Sequence, residues 1–222
     1  MPRLSVVVPA YNEAENIPIL MNKVDKALSG IDCEIIIVDD GSVDNTAEVA
    51  RNTKTRCVVK VLRHSFNRGK TAALITGIQV AEGEYITFLD ADMEYPPEAL
   101  PIMFQEALRG RDLVVAVRVD PRPFHRRVIS SGARILAKIL IPKLQRYKDP
   151  TSEMVLVKRD LIQAAKIKPK YIKPFIPLLL IAKYPGEVLI KLDTRKKGET
   201  SFKIRWIIMY IYELIDLIVS KR

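Results

Sequence analysis

Short apolar runs recur through the first 120 residues, at Leu4–Val8, Glu34–Val38, Cys57–Leu62, Tyr85–Leu89 and Asp112–Val117. Their length and β-branched content predict buried strands. Between them, Glu13–Leu28, Asp44–Asn52, Gly69–Ala81 and Pro97–Leu108 have helical spacing. Strands alternating with helices predict an α/β fold, a mostly parallel sheet with helices on both faces. Ligands of such sheets bind beyond the carboxyl ends of the strands. The loops expected there are Pro9–Glu13, Asp39–Ser42, His64–Lys70 and Asp90–Glu94.

The pattern changes after residue 120. Arg126–Leu144 reads as an amphipathic helix, with Ile129, Ala133, Leu136, Ala137 and Leu140 on one side and Arg126, Arg127, Arg134 and Lys138 on the other. A strand is predicted at Met154–Val157 and another at Val188–Leu192, with a Pro- and Lys-rich stretch, Lys166–Pro177, between them. The tail, Trp206–Val219, is apolar but carries Glu213 and Asp216. It is too short and too charged to cross a bilayer. Two readings stand: a helix lying in the membrane interface beside Arg126–Leu144, or one packed on the sheet or in a dimer contact. On the first, removing Trp206–Arg222 is expected to leave a catalytic core that binds liposomes weakly.

At 222 residues and 48% hydrophobic content the chain suits one domain with a real core. Its net charge of +10 is uneven. Residues 1–120 hold 13 Lys/Arg against 18 Asp/Glu, and residues 121–222 hold 23 against 8. The second half is therefore suited to an anionic partner: nucleic acid, a phosphorylated lipid or an anionic membrane surface. No run of aromatics interleaves with the basic residues, which argues against a nucleic-acid binder. The N-terminus enters a strand at once, so no signal peptide is expected. Cys33 and Cys57 make no disulfide framework and are expected to be small core residues in a reducing compartment. His64 and His125 are too few for a histidine-rich zinc site.

The strongest chemical signal is Phe88-Leu89-Asp90-Ala91-Asp92-Met93-Glu94. In an extended chain residues i and i+2 share a side, so Asp90 and Asp92 are expected to converge past the strand end. Carboxylates that close repel unless a cation lies between them. A hard divalent ion, Mg2+ or Mn2+, suits oxygen ligands and also grips a diphosphate. Gly69-Lys70-Thr71 is not a P-loop, because position 64 is His where that motif needs Gly.

The order of motifs adds to this. Val7-Val8-Pro9-Ala10-Tyr11-Asn12-Glu13, Ile37-Val38-Asp39-Asp40-Gly41-Ser42-Val43-Asp44, Asn67-Arg68-Gly69-Lys70 and Asp90-Ala91-Asp92 together resemble the family 2 glycosyltransferases of GT-A fold. Asp149-Pro150-Thr151-Ser152 and Arg195-x-x-Gly198-x-Thr200 are similar to the polyprenyl-phosphate sugar synthases within that family, among them the dolichol-phosphate mannose synthases. The resemblance implies a Rossmann-like sheet, with residues 1–120 as the nucleotide-sugar half and 121–222 as the acceptor half carrying interface helices. It implies donor contacts from Pro9, Ala10, Tyr11, Glu13, Val38, Asp39, Asp40, Lys70, Asp90 and Ala91. Asp92 and Glu94 resemble the metal ligands, and Asp90 the residue beside the sugar. Arg118 and Arg195 resemble the core of an acceptor-phosphate clamp, with Arg127, Arg134, Ser152 and Lys203 around it. Three places depart from the family pattern, all in the acceptor half: Glu153-Met154 for Gly-Phe, Ser131 before Gly132-Ala133, and Ser201 for a usual Lys.

The implied reaction is inverting transfer of a hexose, mannose from GDP-mannose in first place, to a polyprenyl or dolichyl phosphate. The enzyme would sit peripherally on the cytoplasmic face of a membrane. A UDP-sugar donor is the alternative. So is a sugar-hydroxyl acceptor, which would need a base, with Glu153 as the candidate.

Overall fold

Among residues 3–119, 124–193 and 204–219, which this computed structural model describes, seven segments pair into one sheet. They are β1 (Leu4–Ala10), β2 (Cys33–Asp39), β3 (Val58–Arg63), β4 (Tyr85–Phe88), β5 (Leu113–Val119), β6 (Val155–Lys158) and β7 (Pro185–Lys191). Their order is β3-β2-β1-β4-β6-β5-β7. β1 to β4 run parallel, as do β5 and β7, and β6 is antiparallel to both β4 and β5. The predicted mostly parallel α/β fold is what forms.

β1 and β2 are buried almost throughout, because helices cover both faces. The helices are α1 (Ile17–Ala27), α2 (Thr46–Asn52), α3 (Lys70–Val80), α4 (Leu100–Leu108), α5 (Phe124–Leu140), α6 (Arg159–Ala164), α7 (Ile176–Ile181) and α8 (Ile204–Val219). One core packs α1 and α4 against Leu4, Val6 and Ile35. The other packs α3, α5, α7 and α8 against Val7, Ile36 and Ile86. Gly77 lets α3 sit close on β1, since a Cβ there would fall 2.4 Å from Val7 Cγ1.

Several boundaries differ from the sequence expectation. The helix expected at Arg126–Leu144 ends at Leu140, and a 3-10 turn runs over Pro142–Arg146. Pro142 has no N–H to donate and pushes the preceding residue out of helical geometry. α1 starts at Ile17 rather than Glu13, with a proline in its first turn. β7 begins earlier than the Val188 expected.

The cysteine expectation is corrected. Cys33 and Cys57 form a disulfide, their Cα atoms 5.0 Å apart. Parallel pairing of Glu34 with Val58 brings the residues before them side by side, although 24 positions separate them in sequence. The inference of a reducing compartment drew on free cysteines and loses that support.

Candidate active site

Strand direction decides which loops meet. β1, β2, β4 and β5 all end at the same edge of the sheet. Because β6 runs the other way, the segment that precedes it, Asp149–Met154, also lies at that edge. The crevice between β1 and β4, where the strand order reverses, is the expected ligand position.

The loops after β1 and β2 are stitched together. Asn12 N–H donates to Ser42 Oγ (2.9 Å), Val43 N–H to Asn12 Oδ1 (2.9 Å) and Glu13 N–H to Thr46 Oγ1 (2.9 Å). Asn12 holds φ +56°, a left-handed conformation that Asn tolerates. Gly41 holds φ +75°, and a Cβ there would lie 2.5 Å from the backbone of Phe66. Only glycine fits. Tyr11 is half exposed on this rim, Ala10 is buried, and Pro9 and Glu13 are partly exposed.

The remaining nucleoside candidates sit deeper. Val38 is fully buried in the sheet, so only its backbone can approach a ligand. Asp39 is 0% exposed: Oδ1 accepts Ser42 N–H (2.9 Å), and Oδ2 faces Arg63 Nε at 3.2 Å without hydrogen-bond geometry. Asp40 is 3% exposed and has three protein donors: Arg68 N–H (2.9 Å), Gly69 N–H (2.7 Å) and the ring of His64 (2.7 Å). Asp40 thus holds the loop that leads into α3, and Asp39 the turn after β2. His64 spends its other nitrogen on Thr76 Oγ1 (3.0 Å).

After β4 the chain turns rather than extends. Met93 N–H donates to Asp90 C=O (3.2 Å), Met93 holds φ +57°, and Asp92 Oδ1 accepts Glu94 N–H (3.1 Å). The expected convergence by i,i+2 alternation in an extended chain is therefore replaced by a turn. A non-glycine residue in the left-handed region is the kind of local strain that collects at functional sites.

Four ionic side chains form a row across the crevice. Lys70 Nζ lies 2.8 Å from Asp90 and 2.5 Å from Glu153, and Lys173 Nζ lies 2.5 Å from the other Glu153 oxygen. Burial pushes Asp90 up, Lys70 pulls it down, and the nearby charges of Glu153 and Asp92 raise it again, to about 6. For Glu153 burial is outweighed by Lys173 and Lys70, which hold the carboxyl well below its ordinary range. Burial alone would lower the Lys70 ammonium, but Asp90 and Glu153 raise it. The alternating charges favour the ionised forms of Glu153 and Lys70.

Beside the row, Arg118 grips Asp149. Nε and Nη2 reach the two carboxylate oxygens at 2.6 and 2.9 Å, and Nη2 also donates to Thr151 Oγ1 (2.8 Å). The two side chains are 6% and 0% exposed. Ser152 is buried, with Tyr95 Oη 3.3 Å from its Oγ, and burial pushes the Tyr95 hydroxyl up to about 12. Arg134 donates to Ser131 Oγ (2.8 Å) on α5. The Arg127 backbone is helical, and its side chain, with Arg195 and Lys203 entirely, lies outside the described residues.

Asp90, Asp92 and Glu94 offer hard oxygen donors, and the negative charge that raises Asp90 is what a divalent cation relieves. Among the described residues no group of three or more His, Cys, Asp or Glu is arranged to enclose an ion.

Sequence reasoning missed Lys173 and Tyr95. Lys173 stands in a stretch rich in lysines, and nothing in its local pattern separates it from the others. The buried role of Glu213, whose Oε2 accepts Ile172 N–H (2.7 Å) and Lys173 N–H (3.0 Å), was hidden in the same way.

A family model described as glycosyl transferase family 2 matches residues 5–164. A dolichol-phosphate mannosyltransferase of Pyrococcus furiosus is 32% identical over 223 residues, covering 97% of this chain and 63% of that protein. One of Saccharomyces cerevisiae is 31% identical, covering 98% and 87%. An undecaprenyl-phosphate 4-deoxy-4-formamido-L-arabinose transferase of Pseudomonas fluorescens is 29% identical, covering 98% and 65%. The chain therefore spans under two thirds of the Pyrococcus and Pseudomonas proteins. Among solved structures, glucosyl-3-phosphoglycerate synthase of Mycobacterium tuberculosis, crystallised with Mn2+, UDP-glucose and phosphoglyceric acid, superposes with a TM-score of 0.73 at 20% identity. It covers 99% of this chain and 79% of that one, and shows the shared fold.

Proposed function

The chain belongs to glycosyl transferase family 2, and we propose that it moves a hexose from a nucleoside diphosphate to a polyprenyl phosphate at a membrane surface. The observation that carries this reading is the antiparallel β6. It sets Asp149–Glu153 and Arg118 on the edge that holds Asp90, Asp92 and Glu94, so donor and acceptor chemistry meet at one crevice.

Pro9, Ala10, Tyr11 and Glu13 line the nucleoside end, with Asp39 and Asp40 fixing the loops around it. Asp92 and Glu94 would hold the divalent cation, which supplies charge neutralisation for the departing diphosphate. Asp90 and Lys70 lie beside the sugar. The acceptor phosphate is anionic near neutral pH, with a second pKa of about 6. An oxygen of that phosphate forms the new bond to the anomeric carbon. The old bond to the diphosphate breaks, and the nucleoside diphosphate leaves with its electron pair. In-line attack inverts the centre. No proton has to be removed from the acceptor, and arginines are what bring two anions together: Arg118, with Arg127, Arg134, Arg195 and Lys203. Asp149 and Thr151 orient Arg118.

Glu153 argues for this acceptor over a sugar hydroxyl. A general base for a hydroxyl works best with a pKa near the working pH. Glu153 is held far below that by two lysines.

α5 and α8 provide the membrane surface. Residues Tyr210, Leu214 and Leu217 of α8 are buried, and Tyr210 Oη donates to Ala133 C=O on α5 (3.2 Å). The opposite side of the pair exposes Ile135, Ile139, Ile208, Ile211 and Ile215. Among the described residues no helix is long and apolar enough to cross a membrane, but an exposed apolar face flanked by Arg134, Lys138, Lys168 and Lys170 suits an anionic bilayer surface. Because Tyr210, Leu214 and Leu217 lie in the core, removing Trp206–Arg222 is expected to cost stability as well as liposome binding.

The test is transfer by the purified chain with Mn2+, offering GDP-mannose or UDP-glucose as donor and a short polyprenyl phosphate or the matching polyprenol as acceptor. Product with the phosphate alone is expected, GDP-mannose being the better donor. Turnover of the polyprenol at a comparable rate would overturn the acceptor assignment.

A further inference from the structure

The loop at residues 168–173 is held from two sides. α8 grips it first. Glu213 is 2% exposed, and its Oε2 accepts Ile172 N–H (2.7 Å) and Lys173 N–H (3.0 Å). One turn on, Asp216 Oδ2 accepts Lys168 Nζ (2.7 Å) and Tyr171 Oη (2.6 Å). The far side of the loop reaches the crevice. Tyr171 C=O accepts Thr71 Oγ1 (2.6 Å), one residue after Lys70, and Lys173 Nζ lies 2.5 Å from Glu153. Glu153 and Asp90 then share Lys70.

Glu213 has no other evident purpose. A carboxylate in the middle of an apolar helix, with Oε1 lacking any hydrogen-bond partner among the described residues, is a poor choice for packing alone. Two backbone N–H groups need an acceptor there, and their position sets where the Lys173 side chain starts.

We propose that Glu213 and Asp216 position Lys173 against Glu153, so that α8, the helix assigned to the membrane surface, is coupled through Lys173, Glu153 and Lys70 to Asp90. Lys173 is then a positioning residue: it acts through Glu153 and touches no reacting atom. This rests on the function proposed above, and the test separates the two.

The full chain is assayed for transfer with Mn2+, a short polyprenyl phosphate and whichever donor the wild type uses. Lys173→Met is expected to lower kcat about tenfold while leaving donor KM within about twofold, and Lys173→Arg to restore most of the loss. Glu213→Ala is expected to lower kcat by a similar factor, and the double variant to be no slower than the worse single one. Losses that multiply, or a folded Glu213→Ala with wild-type kcat, would overturn the coupling. If Glu213→Ala does not fold, Asp216→Ala replaces it under the same criteria, since that side chain is partly exposed. If the wild type transfers nothing, the functional reading fails and hydrogen exchange decides the coupling. Faster exchange in the variant that spreads from Ile172 and Lys173 to Ala73 and Leu74 in α3 supports it, and a change confined to the loop refutes it.

Discussion

Replacing Asp149 by Ala strands the guanidinium of Arg118. The pair is bidentate, at 2.6 and 2.9 Å, with the side chains 6% and 0% exposed. Removing one member of a buried pair leaves an uncompensated charge and typically costs about 3–5 kcal/mol. A domain of this size has about 5–15 kcal/mol in all and loses about 2–4 °C of Tm per kcal/mol, so a fall of about 10 °C is expected. Thermal and urea unfolding followed by circular dichroism measure it. The double variant Arg118→Met/Asp149→Leu is expected within about 1 kcal/mol of wild type, because apolar packing replaces both charges. Acid titration supplies the sign. Burial would raise Asp149, but Arg118 holds it below its ordinary value of 3.8. Its contribution is therefore present above pH 3.8 and is lost as pH falls through the lower folded value. The Asp149→Ala variant should lack that part of the acid slope. A Tm loss under about 2 °C, or a double variant as unstable as the single one, would refute the reasoning.

Gly41→Ala is expected to disrupt the loops after β1 and β2, because its Cβ would meet Phe66 at 2.5 Å and φ is +75°; nucleoside diphosphate affinity by calorimetry should fall at least tenfold, and wild-type binding would contradict the account. Glu153→Gln is expected to lower transfer by about tenfold, through the lost ion pairs, rather than by the 100-fold or more of a lost general base. Ile208→Glu with Ile215→Glu should leave the melting temperature near wild type, since both side chains are exposed, and should abolish sedimentation with anionic liposomes; unchanged sedimentation would remove the membrane surface from α8. Cys33→Ser is expected to destabilise by about 3 kcal/mol, from the closure entropy of a 24-residue separation, with a matching shift of the wild type under reductant.

Much of the fold was readable because its signals are local. The strand runs ending at Val8, Val38 and Leu89 and the breaks around them sit within a few residues of the observed β1, β2 and β4. The candidate carboxylates Asp90, Asp92 and Glu94 were legible too, since strand periodicity places a loop at the sheet edge. The corrections came where distant segments meet. The Cys33–Cys57 bond depends on the register of β2 with β3. Lys173 meets Glu153 across 20 positions of sequence, and Glu213 of α8 accepts the N–H groups of Ile172 and Lys173 from 41 and 40 positions away.

Taken alone, then, the order of residues determined the α/β alternation, the loop carboxylates and the basic second half, because hydrophobic period and residue chemistry act over a few positions. Only the tertiary structure decided that β6 enters antiparallel, that Arg118 is bound to Asp149, and that Lys70 stands between Asp90 and Glu153. Those are pairings between residues up to 83 positions apart. They are selected by which buried polar groups can satisfy one another once the chain has packed, and no local pattern carries that information.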